Sequence, residues 1–287
     1  MSLTKRILHA PIVLSLKAGE RRARAAARDR LAICAIFREE APFLDEWIRF
    51  HLGIGVTHFI LYNNFSSDDF ATVLAPHIES GCVTLVDWPV PVGQVAAYAD
   101  CVLRFGMTAE WIAFIDIDEF LYSPVAIDVR PILRRFEHLP GLGVYSAYFG
   151  SSGQEQRPKG RVVEAYTRRA LLGTRSAKTI ARPRWIRRAD VHLFKYWGDT
   201  ATVDASLRPI TLESDGVWDL LRINHYWSRS LEDLRTKIAR GDASTAKQRN
   251  RDWHLRFEAS LNAEEDRTIL PIASRIFAAV PDDPVSA

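Results

Sequence analysis

The run Trp111–Tyr122, WIAFIDIDEFLY, decides how the rest of the chain is read. Five apolar residues, Trp111 to Ile115, lead straight into Asp116, Asp118 and Glu119, and apolar residues resume at once. A short continuous apolar run with aromatic and β-branched members predicts a strand covered on both faces. Carboxylates at its end are costly without a partner. Two of them about 6 Å apart repel by roughly 2–3 kcal/mol at an effective dielectric near 20. Strand alternation puts Asp116 and Asp118 on one face and Ile117 on the other. That arrangement suits a divalent cation held through oxygen. Two plainer explanations fit less well. An N-cap aspartate needs a helix to cap, and Pro124 follows Asp118 by six residues. An EF-hand loop needs Gly at its sixth position and Glu at its twelfth, where Leu121 and Ile127 stand.

Outward from this stretch, strands and helices alternate. Leu31–Phe37, LAICAIF, predicts a first buried strand, and Pro42 opens an amphipathic helix carrying Leu44, Trp47, Ile48 and His51, stopped by Gly53 and Gly55. Thr57–Tyr62 is a second strand, 68–80 a helix closing at Gly81, Cys82–Asp87 a third strand, and Gln94–Thr108 a helix. The Asp116 strand is fourth. The pattern predicts an α/β fold with a mostly parallel central sheet and helices on both faces. Ligands on such sheets bind beyond the carboxyl ends of the strands. Arg38 and Glu39, the run Asn63, Asn64 to Asp68, Asp87, and Asp116 to Glu119 all fall at such ends. One site built from four loops is expected. Further on, 128–139 predicts a helix, Leu142–Phe149 a strand, Leu231–Arg240 a helix after a strand that is followed by Asn224, His225 and Tyr226, and 245–280 two closing helices.

The chain has 287 residues, 47% of them hydrophobic, enough for a full core, and a net charge of only +3 gives no reason to expect nucleic acid. Arginines nevertheless cluster at Arg21–Arg30 and at Arg182–Arg188. They suit a solvated face or an anionic substrate or membrane surface. Cys34, Cys82 and Cys101 show no C-x-x-C spacing, as expected of inert thiols in a reducing, cytoplasmic setting. No apolar run is long enough to span a bilayer. His9 and Pro11 interrupt the faint signal-like core at 7–16, so secretion is not expected. Membrane contact, if made, would be peripheral at the inner face, through the Arg21–Arg30 segment. There is no G-x-x-x-x-G-K-[ST] and no G-x-G-x-x-G after the first strand, so a bound diphosphate would need a cation.

Several stretches together resemble glycosyltransferase family 92 and the related family-2-like transferases of the GT-A fold. They are Ala35–Asp69 (AIFREEAPFLDEWIRFHLGIGVTHFILYNNFSSDD), Gln94–Gly106 (QVAAYADCVLRFG), WIAFIDIDEFL, FGSSG at 149–153, KTIARP at 178–183, and NHYWSRS at 224–230 with Lys237 and Gly241 downstream. The resemblance covers 31–245 as a GT-A domain, between a basic lead-in at 1–30 and a helical extension at 246–287. It implies a transferase that moves a hexose from a nucleotide-diphosphate sugar, UDP-linked, to a glycan, lipid or protein acceptor. Mn²⁺ or Mg²⁺ is the implied cofactor, with Asp116 and Asp118 as the metal pair and His225 as a further ligand. Arg38, Glu39, Asn63, Asn64 and Asp68 resemble nucleotide-recognition loops. Gln94, Tyr98 and Asp100 resemble sugar and diphosphate contacts, and Lys178, Arg182 and Lys195 are candidates to neutralise the leaving diphosphate.

Family 92 members are inverting, which implies a general base. Glu164, His192 and Asp215 are candidates, with Glu119 a weaker one beside the metal pair; Asp118 is expected to matter for the chemistry itself. Trp185, Trp197 and Trp227 are candidates to stack on acceptor sugar rings. Two other classes compete. A nucleotidyltransferase shares the sheet and paired carboxylates but would carry a Gly-rich basic loop after the first strand. A non-catalytic binder of anionic polymers or membranes would use the arginines and leave Asp116, Asp118 and Glu119 unexplained.

Overall fold

The computed structural model describes residues 30–171, 176–210, 216–241 and 250–279. Asp215 and the arginines of 21–28 lie outside the described residues. The first strand, β1 (Leu31–Phe37), is buried along its whole length. Leu31, Ile33, Ala35 and Phe37 enter one core and Ala32, Cys34 and Ile36 enter another on the opposite face. A strand covered on both faces has no use for polar alternation, which is why LAICAIF reads as one apolar run. Helix α1 (Ala41–Gly53) follows, with Pro42 in its first turn, and buries Phe43, Leu44, Trp47, Ile48 and Phe50 in the first core. Gly55, at φ +100°, turns the chain into β2 (Val56–Asn63). Then come α2 (Phe70–Glu79), β3 (Val83–Asp87) and α3 (Gln94–Phe105), whose Ala97, Tyr98 and Cys101 fill the second core.

Strand β4 (Trp111–Phe114) ends sooner than its sequence suggests. The chain turns through Ile115 to Asp118 and restarts as β5 (Glu119–Tyr122). Glu119 holds the turn: its backbone N–H donates to the Asp116 carbonyl at 3.1 Å and its carboxylate accepts from the Asp116 N–H at 3.0 Å. Asp116 and Asp118 therefore do not share a strand face. The turn gives each its own surroundings, which a single pleat would deny to two neighbouring anions.

Only Arg130–Arg134 (α4) of the expected 128–139 helix is α-helical. Beyond it, Phe136, Glu137 and Leu139 donate to carbonyls three residues back, tightening the chain into successive turns. Next are β6 (Gly141–Phe149), α5 (Val162–Ala165), β7 (Arg168–Arg169), β8 (Ala177–Ala181), β9 (Ile186–Arg188) and β10 (Lys195–Tyr196). Last come β11 (Arg222–Tyr226), α6 (Leu231–Arg240), α7 (Arg251–Ser260), β12 (Glu264–Glu265) and α8 (Leu270–Ala279). Asn224, His225 and Tyr226 lie within β11 rather than after it, because Asn224 and His225 pair with β5 on one side and β6 on the other, and Tyr226 pairs with β6.

The main sheet runs β12-β7-β6-β8-β4-β1-β2-β3, with β11 bridging β6 and β5. From β3 to β4 every pairing is parallel; β8 runs antiparallel between β4 and β6. This is the α/β, GT-A arrangement that the sequence resemblance implied. Helix α8 packs on α1, closely enough that a Cβ at Gly53 would meet Ile276 at 2.4 Å. Among the described residues no helix is long and apolar enough to cross a membrane.

Candidate functional site

A cavity of about 310 Å³ opens beyond the carboxyl ends of β1, β2 and β4. Phe37 ends β1 and Arg38 follows it, Asn64 follows β2, Gln94 opens α3, and Asp116 to Asp118 follow β4, with Glu119 opening β5. The opposite wall comes from the second half of the chain: Tyr148, Lys178, His192, His225, Trp227 and Lys237. Three of the four expected strand ends thus meet here. Asp87, at the end of β3, does not line the cavity and accepts from Asn63 Nδ2 at 3.3 Å.

Asp116 receives three donors: Gln94 Nε2 at 3.0 Å, the Tyr98 hydroxyl at 3.4 Å and Lys178 Nζ at 2.7 Å. Gln94 and Tyr98, four residues apart on α3, share a face and bond to each other at 3.1 Å. Lys178 is almost wholly buried. Burial alone would lower its pKa, but Asp116 and Glu119 hold it well above the usual lysine range.

Asp118 is held by Lys237 Nζ at 2.5 Å, which also donates to the Trp227 carbonyl at 2.9 Å. Burial would raise the Asp118 carboxyl, yet Lys237 and His225 beside it keep it well below the usual carboxylate range. His225 stands with Nε2 3.4 Å from Asp118 Oδ2 and Nδ1 3.4 Å from Glu119 Oε1. That second contact follows from register, since His225 and Glu119 are partners across the β11–β5 pair. Glu119 is fully buried, and burial pushes its carboxyl up to about 7.

Two carboxylates and an imidazole facing one cavity are donors suited to Mn²⁺ or Mg²⁺. His225 Nδ1 and Glu119 Oε1 are both buried without a hydrogen-bond partner, so this corner of the site has coordinating capacity in reserve. Among the described residues, however, no three such side chains are gathered into a ready cage. The two lysines already neutralise the aspartates.

The remaining sequence candidates divide clearly. His192 lines the cavity; its Nδ1 lies 3.2 Å from the Ala177 carbonyl, an acceptor only, so Nδ1 carries the proton and Nε2 the lone pair. The residue reaches solvent, but partial burial, with Lys178 nearby, lowers its pKa. Arg38 and Asn64 line the cavity, whereas Glu39, Asn63 and Asp68 brace its loops. Glu39 accepts from the Ser67 N–H at 2.6 Å, Asn63 Oδ1 from the Ser66 N–H at 3.0 Å, and Asp68 from the Ala41 N–H at 2.8 Å. Asp100 accepts from the Tyr62 hydroxyl at 2.8 Å and does not reach the cavity. Glu164, exposed on α5, pairs with Arg161 at 3.1 Å and is also outside it. Arg182 pairs with Glu110, and Lys195 lies on β10, so neither lines the cavity.

Glu40, Tyr148, Lys237 and Arg240 were not among the sequence candidates for the site. Arg240 donates to the carbonyls of Arg38 and Glu39 and to the Glu40 carboxylate, and Arg229 reaches the same carboxylate at 2.5 Å. The end of α6 is thereby fastened to the loop after β1. Glu39 in that loop has φ +56°, a left-handed backbone that a non-glycine residue adopts only when held.

Residues 30–240 match Glycosyltransferase family 92, and the chain belongs to that family. A family 92 protein of Oryza sativa subsp. japonica is 38% identical over 157 residues, 53% of this chain and 27% of that protein. A galactan β-1,4-galactosyltransferase of Arabidopsis thaliana is 30% identical over 102 residues, 32% of this chain and 20% of that protein. The chain spans little more than a quarter of the length of the family 92 relatives it matches over the longest stretches. Among solved structures, S. aureus TarS in complex with UDP is a remote likeness, with TM-score 0.39 and 10% identity over 54% of this chain and 47% of that one.

Proposed function

We propose that this chain transfers a hexose from a UDP-sugar to a glycan, lipid or protein acceptor, with inversion, and that residues 31–245 form the catalytic domain. The observation that carries this reading is the meeting of Asp116, Asp118, His225 and two lysines on one cavity in a family 92 chain. The galactan galactosyltransferases among its relatives favour galactose as the sugar.

Asp116, Asp118 and His225 would hold a divalent cation, which supplies a Lewis acid for the charge that grows on the departing diphosphate. Lys178 and Lys237 add fixed positive charge at the same wall. Gln94 and Tyr98 orient the Asp116 carboxylate, and Arg38 and Asn64 lie where the nucleoside would enter. His192 is the general base in this reading. A depressed pKa keeps the ring neutral near pH 7, and its Nε2 lone pair is available to take the acceptor hydroxyl proton.

Calorimetric titration with UDP, with and without Mn²⁺, on the wild type and Asp118→Asn tests the proposal. Cation-dependent binding that the variant loses supports it. Failure of UDP to bind the wild type under either condition removes it.

A further inference from the structure

Beyond the family-matched region, α7 carries Trp253, His254 and Phe257 toward the cavity wall. Trp227, which lines the cavity, stacks on His254 with centroids 5.4 Å apart and planes at 19°. Phe257 meets Trp227 edge-on at 4.9 Å and Tyr148, also a lining residue, at 6.1 Å. Trp253, four residues before Phe257, lies parallel over it at 5.0 Å and 13°. Aromatic rings therefore run without a break from the cavity to the surface.

The ring at the outer end is not there to fill a core. Trp253 is 49% exposed, and Phe257 covers one of its faces. Leaving so large an apolar ring in water is unfavourable unless something covers it. Its position is also firmly set. Glu258 on α7 accepts from the Ser151 N–H at 3.0 Å, and Asn262 just beyond α7 accepts from the Ser152 N–H at 2.7 Å. The FGSSG turn is thus the anchor of α7. Gly150 is required there, because a Cβ would meet Asn262 Oδ1 at 2.5 Å.

We infer that Trp253 is the platform of an acceptor subsite, stacking on the apolar face of a sugar ring in a glycan whose reacting end enters the cavity past Trp227. This deepens the glycosyltransferase reading and rests on it. A hexose ring presents C–H groups on one face and hydroxyls at its rim, which matches a flat aromatic surface bordered by polar side chains. Exposed Arg251 and Asp252 flank the tryptophan. The nucleoside end of the cavity, at Arg38 and Asn64, is built from the parallel half of the sheet, whereas Tyr148 and Trp227 stand on β6 and just after β11. Trp185 and Trp197, the other exposed tryptophans considered from sequence, pair with each other through the backbone and do not line the cavity.

The test is titration of the full chain with β-1,4-linked galactotetraose and with cellotetraose, followed by calorimetry, for the wild type, Trp253→Phe and Trp253→Ala. UDP with Mn²⁺ is titrated into each in parallel, and thermal melts compare folding. At least one tetrasaccharide is expected to bind the wild type, to bind Trp253→Phe within about 3-fold, and to lose at least about 10-fold with Trp253→Ala, while UDP affinity is unchanged. Equal saccharide binding by Trp253→Ala, or none by the wild type, overturns the inference. So does a selective loss of UDP affinity, which would make the ring a nucleobase platform. If UDP binds the wild type and only the saccharide result fails, the subsite is wrong and the transferase reading stands. Loss of all UDP binding in the wild type removes both.

Discussion

Asp116 and Asp118 stand two residues apart and each meets a lysine, yet the two pairs are made of different material. The Asp116 side is built on α3 and β8, with Gln94 and Tyr98 four residues apart and Lys178 sealed inside the sheet. The Asp118 side is built on β11 and α6, elements more than a hundred residues downstream, with a lysine nearer the surface. The first side is rigid through burial. The second is rigid only as long as α6 stays docked. An anion and a cation placed side by side can therefore do either structural or functional duty, and burial decides how much of each.

Changing one aspartate gives the largest effect. Asp118→Asn keeps the shape and removes the charge, so sugar transfer from a UDP-hexose should fall about 10³-fold. A rate within 5-fold of wild type would break the comparison at its root. His192→Ala should cost about 10²-fold in kcat with little change in UDP affinity. In the wild type, a base with a depressed pKa should keep the rate flat as pH falls from 7 toward 6.5, with the decline lying below that.

Stability separates the two lysines. Lys178→Ala leaves the fully buried Glu119 and the partly exposed Asp116 without their cation and should cost about 3–5 kcal/mol in urea denaturation. Lys237→Ala removes a charged hydrogen bond nearer solvent and should cost about 1.5–3 kcal/mol. Equal losses would show that the two sides do not differ in the way described.

Glu119 sharpens the contrast through pH. Its folded carboxyl titrates at about 7 against an ordinary 4.5, so the folded state binds the proton more tightly. The stability this proton provides is full below 4.5 and is lost as pH rises through about 7. Glu119→Gln should remove that slope, read as denaturation midpoints from pH 4 to 8; Glu46, also raised to about 7 by burial, persists in both proteins. The smallest effect belongs to Glu164→Gln, whose exposed pair with Arg161 should leave stability within about 0.5 kcal/mol and transfer within 2-fold.

The first half of the fold was legible because its strands are covered on both faces and its helices are punctuated. LAICAIF starts and stops where β1 does, and Gly53 closes α1. The turn at Asp116 was not legible. Apolar residues on both sides of the aspartates look the same in a continuous strand and in two strands joined by a turn, and only Glu119 reaching back to the Asp116 N–H distinguishes them. Asp116 and Asp118 stood out as polar residues in apolar company, whereas His225 was implied by the family resemblance and His192 was only one of several candidate bases. Lys237 did not stand out, because a lysine on a helix is ordinary until a strand end 119 residues earlier is brought against it. Trp253 was hidden for a similar reason: the path from it to the cavity runs through Trp227, which stands just after β11 rather than on α7.

The fastening of Arg229 and Arg240 to the loop at 38–40 also sets where the chain can change length. The turn at 154–157 grips the other end of α6: the Leu231 and Glu232 N–H groups donate to the Gln154 and Glu155 carbonyls at 3.0 Å, and Arg157 pairs with Asp233 at 2.6 Å. One residue added between Phe37 and Ala41 would pull Glu40 away from both guanidiniums and swing Lys237 off Asp118 with the same helix. Natural variation in loop length should therefore avoid both grips on α6, and the span from β1 to α1 keeps a fixed residue count wherever this clasp is present.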